Sequence, residues 1–284
     1  MLLRVTCLIP TLACSFAPAI DAPDPKPGEE RKFEIAPGTH MIFCWVPPGK
    51  ATLGSPPTET RRGKDEEERE YTSKGFWLGK YEVTQGEWTA VMGTNPSAHT
   101  PEWNNGSNRE RIKGLDLTRL PAENMSGNQC IAFLKKLNAR PGAAKAFGKP
   151  GAFVLPHEDE WEYACRGGTT NKQPYYWGTS FNGTQANANG THPYGTDVKG
   201  PSLKRTSIVG SYEKDFPHPW GLCDMNGNVW ELCTSNQPTA ATPCAIRGGS
   251  FFNGGTHCRA TMRMRSGYEG TDDNSGFRVC YRLE

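Results

Sequence analysis

Apolar and polar residues alternate through "HMIFCWVPPGKATLGS", His40 to Ser55, and a Pro-Pro-Gly turn divides the run, a pattern that predicts a β-hairpin. "KGFWLGKYEVTQGEWTAVMG" opens with a strand over Phe76–Lys80. A helix follows, because Thr84 can cap its first turn and Glu87, three residues on, completes a capping box. A second helix is predicted in "LPAENMSGNQCIAFLKKLNAR", capped by Ser126, with Cys130, Ile131, Phe133, Leu134 and Leu137 on one stripe. "LPHEDEWEYACRGG" gives a third, short helix that starts after Pro156 and stops at Gly167-Gly168. The acidic residues of its first turn suit the helix dipole. "PPTETRRGKDEEERE" is charged and reads as a solvated loop. From Gly168 to Pro219 periodicity gives way to Gly, Asn, Thr and Tyr. An irregular polar stretch inside a folded domain needs something to hold it, usually bound metal or disulfides.

The N-terminal "MLLRVTCLIPTLACSFAPAIDA" has one arginine, an apolar run and small residues at Ala17-Pro18-Ala19. It reads as a signal peptide over residues 1–19 and predicts a secreted, periplasmic or otherwise extracytoplasmic protein. A lipid anchor at Cys14 is the lesser alternative, since Thr11 stands where a branched aliphatic is usual. No stretch is long enough to span a bilayer. Residues 20–40 are Pro-rich and charged and read as an exposed linker, leaving 41–284 as one domain. The chain's 32 Gly and 23 Pro are interspersed with aromatics, which fits a loop-rich folded domain rather than disorder. A net charge of +2 gives no reason to invoke nucleic acid or an anionic membrane. Of ten cysteines, Cys7 and Cys14 leave with the signal. Export implies that some of the remainder pair, and Cys165, Cys223, Cys233, Cys244, Cys258 and Cys280 would staple the second half. Asn105, Asn124, Asn182 and Asn189 begin glycosylation sequons.

Common enzyme signatures are missing. His157 in "HED" has no second histidine one helical turn on, and the six histidines show no paired ligand spacing. There is no P-loop, no Gly-x-Ser-x-Gly elbow and no dinucleotide fingerprint. "GLCDMNGNVWEL", Gly221 to Leu232, is the most informative segment: Asn226, Gly227, Asn228 and Glu231 offer oxygens within six residues while Trp230 can anchor the loop. Hard cations want such oxygens, although an Asn-Gly turn before a buried strand produces the same string.

In order along the chain, "WVPPGKATLGS", "YEVTQGEW", "LPAENMSGNQCIAFLKKLN", "LPHEDEWEYACRGG", "GLCDMNGNVWEL", "AIRGGSFFN" with "CRATMR", and "GFRVC" resemble the formylglycine-generating enzyme, or sulfatase-modifying factor, domain. The resemblance runs from about Met41 to the C-terminus. It implies an α+β fold: one compact domain with little regular secondary structure, a relative of the C-type-lectin-like fold, with calcium in its loops. One calcium would take Asn226, Glu231 and the carbonyls of Gly227 and Val229; a second would take Asn187 and the Ala188 carbonyl. The family's enzymes bind copper(I) on two thiolates just after Gly-Gly-Ser and use oxygen to turn a sulfatase cysteine into formylglycine. Those positions here are Asn253 and Cys258, and an amide does not replace a thiolate for a soft ion. Cys165 matches one half-cystine of the enzymes, but its partner position is Arg263; Cys280 lies one residue beyond another match and faces Gly148.

Two main functions stay open. In the first, Ser250, Asn253, His257, Cys258 and Arg259 line an oxidoreductase pocket for a protein or peptide, with a sulfatase as the family substrate. Cys258 would be the reactive thiol, activated by Arg259, since a nearby cation lowers a thiol pKa. In the second, a non-catalytic extracytoplasmic domain, expected to be a monomer, uses the same cleft to bind a peptide, glycan or assembly partner, and Cys258 is packed or disulfide-bonded. A weaker third idea makes Asn253, His257 and Cys258 a different metal site. Arg259, Arg263 and Arg265 also have a structural reading, pairing with acids such as Asp272 or Asp273, and Arg278 is read as structural.

Overall fold

The computed structural model describes residues 25–103, 106–168, 170–235, 244–267 and 269–284. The signal-peptide segment with Cys7 and Cys14, and the Asn105 sequon, lie outside them. Four strands lead the chain: β1 (Glu30–Ala36), β2 (Thr39–Val46), β3 (Gly49–Leu53) and β4 (Arg69–Ser73). They are followed by β5 (Phe76–Gly79), α1 (Gln85–Met92), α2 (Gly106–Ile112), α3 (Gly127–Asn138), β6 (Gly151–Val154) and α4 (Glu158–Arg166). After a long irregular stretch come β7 (Trp230–Thr234), β8 (Cys244–Arg247), β9 (Arg263–Ser266), β10 (Ser275–Gly276) and β11 (Cys280–Leu283).

A five-stranded sheet in the order β1-β2-β5-β11-β6 forms the centre. Its middle strand β5 is buried at every position, Phe76 to Gly79, because both faces are covered. Phe43, Trp45 and Trp77 enter the core shared with α1 and α3, where Trp88 stacks on Phe133 at 5.4 Å. Their neighbours Cys44, Val46, Phe76 and Leu78 point the other way, into a core built with Trp161, Tyr163 and Ala164 of α4. A four-stranded sheet, β10-β7-β8-β9, and the β3-β4 pair complete the fold.

The three helices predicted from capping all form. Thr84 with Glu87 and Ser126 with Gln129 make reciprocal capping boxes, and α4 ends on a left-handed Gly167. Ile131, assigned to the buried stripe of α3, is 46% exposed. The expected β2–β3 hairpin does not form: β2 pairs with β1 and β5, and β3 with β4. Pro47 and Pro48 fix an extended backbone and lack N–H groups, so the chain passes from one sheet to another. The linker expected through residue 40 ends earlier, because Phe33 and Ile35 are buried on alternate positions of β1. The charged 56–70 loop is not simply solvated: its Glu66 is 1% exposed.

Disulfides do not hold the polar stretch after Gly168. The eight described cysteines are all buried and free. Aromatic rings do that work instead: Tyr175 stacks on Trp177 at 5.0 Å and on Phe181 at 5.5 Å, and Tyr194 meets Tyr175 edge-on. Among the described residues, no helix is long and apolar enough to cross a membrane.

Glu162 of α4 ties the layers together. One carboxylate oxygen accepts from the Gly54 N–H at 2.7 Å and from Arg166 at 3.0 Å; the other accepts from Arg247 of β8 at 2.6 Å. Burial alone would raise this carboxyl, but Arg247 and Arg166 overcome it and hold it at about 2. Replacing Glu162 by Gln would leave two buried guanidinium groups without their anion, and breaking such a pair costs about 3–5 kcal/mol. For a chain of this length we expect Tm to fall by roughly 10 °C in calorimetry near neutral pH. Because the folded-state value lies below the unfolded one, this stabilisation is full above the ordinary carboxylate range and is lost as pH falls toward about 2. The Glu162→Gln variant should therefore lose stability less steeply through that acid window, and an unchanged acid limb would refute the assignment.

Candidate functional site

After β8 the chain turns sharply at Gly248 and Gly249, with φ of +90° and +73°. A Cβ on Gly249 would lie 2.7 Å from the Cys258 sulfur and 2.9 Å from the His257 carbonyl oxygen, so only glycine lets these strands of loop approach. Ser250 follows, fully buried, and donates its hydroxyl to the Asn253 amide oxygen at 2.6 Å. The Asn253 N–H returns to the Ser250 carbonyl at 3.0 Å, and its own carbonyl accepts from the Asn189 N–H at 2.8 Å. A short 3-10 turn, Gly255–Cys258, carries the chain back into the protein.

These geometries separate residues that the sequence placed in one pocket. Ser250 and Asn253 are together. Cys258 is 0% exposed and sits among Tyr175, Phe181, Ala186, Ala188 and Tyr194. Burial pushes its thiol up to about 12, with the Cys165 thiol adding to the shift. Cys165 is itself a free buried thiol, touched by the Asn226 amide at 3.4 Å. Arg259 does not activate Cys258. Its guanidinium takes both oxygens of Glu66 at 2.8 Å, together with Glu59, Thr261 and the Arg61 carbonyl. His257 is half-buried, with its ring edge-on to Trp230, and burial and then Arg259 lower its pKa. Arg263 and Arg265 pair with Asp65 and Glu158, not with Asp272 or Asp273. The structural reading of Arg278 agrees with its position, locked to Glu231 by two bonds of 2.6 Å.

An open feature lies elsewhere on the same loop. A cleft of about 710 Å³ is lined by Phe251, Phe252, His99, Trp103 and the Asp272–Asn274 turn, with Arg111 and Lys204 at its margin. Phe251 is buried edge-on against His99 at 5.3 Å, whereas Phe252 is 70% exposed. Sequence reasoning passed over Trp103 and the double Phe. Their signal was an aromatic residue inside an otherwise polar segment, and two adjacent aromatics on a turn that can bury only one.

The residues do not fit the family's copper(I) pair: Cys258 is buried beneath aromatic rings, and Asn253 offers an amide already bonded to Ser250. The calcium donor set divides. Asn226 and Asn187 each have a buried side-chain oxygen without a partner, which suits a hard cation. Their amide nitrogens are engaged, Asn226 with the Cys258 carbonyl at 2.7 Å and Asn187 with Asn228 at 3.0 Å. Gly227 packs over the Asn187 carbonyl, and the buried Ala188 accepts from the Gly190 N–H. Val229 is buried in the same loop. Glu231 does not fit, because Arg278 and the Trp161 indole N–H already occupy both its oxygens. Among the described residues, no three His, Cys, Asp or Glu side chains converge.

Residues 29–283 match the model of the sulfatase-modifying factor enzyme 1-like domain. The chain belongs to this family. It is similar to the inactive C-alpha-formylglycine-generating enzyme 2 of Mus musculus, 34% identical over 131 residues, covering 44% of this chain and 41% of that protein. The chain thus spans less than half of that relative's length. It is 30% identical over 202 residues to the chaperone protein LppX of Paenibacillus barcinonensis, covering 62% of this chain and 68% of the relative. Among solved structures, Treponema denticola variable protein 1 superposes with a TM-score of 0.69 at 21% identity, covering 89% of this chain and 99% of that one. That likeness shows the shared fold.

Glu231→Gln should destabilise this family member by about 3–5 kcal/mol through the stranded Arg278. The loss should be the same with and without a calcium chelator in thermal unfolding. A loss that disappears in chelator would make Glu231 a calcium ligand instead.

Proposed function

We propose that this chain is a non-catalytic, exported member of its family that binds a protein or peptide in the cleft beside Phe252. One observation carries this: the thiol at the surviving copper position is fully buried and far from its thiolate form, and Asn253 stands where a second thiolate would be. The cleft, by contrast, offers aromatic surface on a turn fixed by Ser250. The names of two relatives, an inactive enzyme and a chaperone, support the same direction. The leader over residues 1–19 supports export.

The test is to incubate the purified protein with copper, oxygen and a peptide containing Cys-x-Pro-x-Arg, and to weigh the peptide. We expect no mass loss from aldehyde formation and no tight one-to-one copper(I) site in titration. An aldehyde product that is lost in Cys258→Ser would establish the oxidase instead.

A further inference from the structure

The cleft carries more than aromatic surface. Phe252 is 70% and Trp103 45% exposed, and large rings left open on one surface mark a place where a partner covers them. Phe252 is also held in position. Its N–H donates to the Ser250 hydroxyl at 3.3 Å, and the neighbouring Phe251 is anchored by the Asn228 carbonyl and the His99 ring. A ring presented on a fixed turn loses little conformational freedom when it binds.

Both signs of charge line the cleft with these rings, and among the described residues its acids and bases do not pair with one another. Arg111, from α2, donates to the Lys204 backbone carbonyl at 3.3 Å, and both residues line the cleft. Asp272 and Asp273 come from the turn before β10 and form no ion pair with a lysine or arginine among the described residues. Burial and then the Asp273 charge raise the Asp272 carboxyl, the response of an anion that lacks a cation. The Asp272 carbonyl accepts from the Asn124 and Ser275 N–H groups, so this turn too is fixed.

We propose that the cleft selects extended peptide segments in which an aromatic side chain, seated against Phe252 and Trp103, is flanked by a basic residue facing Asp272 and Asp273 and an acidic residue facing Arg111 and Lys204. The proposal rests on the peptide-binding reading above and adds the chemical class of the ligand. Aromatic contact supplies the affinity and the two charged margins set direction along the cleft, since complementary charge governs specificity more than strength.

The test uses the full chain and fluorescence polarisation with four labelled peptides of equal length, the fourth being the parent with Glu in place of its Lys. The parent carries a Phe between Lys and Glu; the second has that Phe replaced by Ala; the third has both charges replaced by Gln. Wild type should bind the parent at least about tenfold more tightly than the second or the third peptide. Phe252→Ala should lose that preference for the aromatic. Asp272→Asn with Asp273→Asn should bind the parent about tenfold more weakly while leaving the uncharged peptide unaffected. Asp272→Lys with Asp273→Lys is the variant that a folding defect cannot mimic: it should bind a parent peptide carrying Glu in place of Lys more tightly than wild type does. Equal binding of the parent and uncharged peptides by wild type would overturn the charge selection and leave peptide binding standing. Binding of a glycan array with no peptide bound would overturn both.

Discussion

Four arginines, Arg166, Arg247, Arg259 and Arg278, are almost wholly buried, and the fold depends on each meeting a carboxylate. Glu162 serves Arg166 and Arg247, Glu231 serves Arg278, and Glu66 serves Arg259. Regular structure is sparse, and long loops have few ladder bonds of their own. Forked guanidinium groups offer five donors each and can fasten several carbonyls from different loops at once. Arg278 alone holds the carbonyls of Gly79, Lys80 and Cys223. Such pairs gain little net stability over an apolar core, yet any misplacement leaves a buried charge unpaired, which fixes where each loop lies.

This constraint also shapes the candidate site. Arg259 is drawn inward by Glu59 and Glu66, and Cys258, one residue earlier, goes in with it beneath Tyr175 and Tyr194. The same loop must then turn outward before it enters, and Phe252 is at that turn. Cys258 is thus buried beside an anchored arginine, while Phe252, on the turn held by Ser250 and Asn228, is exposed. On this family scaffold the thiol is enclosed, while an aromatic ring stands exposed at the cleft.

The sequence made the helices legible because capping is local: Thr84, Ser126 and Gly167 act on neighbours within a turn. The ordered motifs identified the family over nearly the whole domain. β1 was hidden because proline and charge outweighed the alternation of Phe33 and Ile35. The partners of Arg259 were hidden because Glu66 lies 193 residues away in a segment whose composition predicts solvent. Cys258 was the most ambiguous residue for the same reason: whether a thiol is reactive depends on rings contributed by Tyr175, Phe181 and Tyr194, and no spacing near Cys258 encodes them.

Native-state alkylation of Cys258 tests the central claim most directly. Purified protein is treated with N-ethylmaleimide at neutral pH, with and without denaturant, and the peptide containing Cys258 is followed by mass spectrometry. A thiol held at about 12 under aromatic rings should stay unlabelled in the native protein and react fully once unfolded. Rapid native labelling confined to Cys258 would place a reactive thiol at the surface and contradict the account.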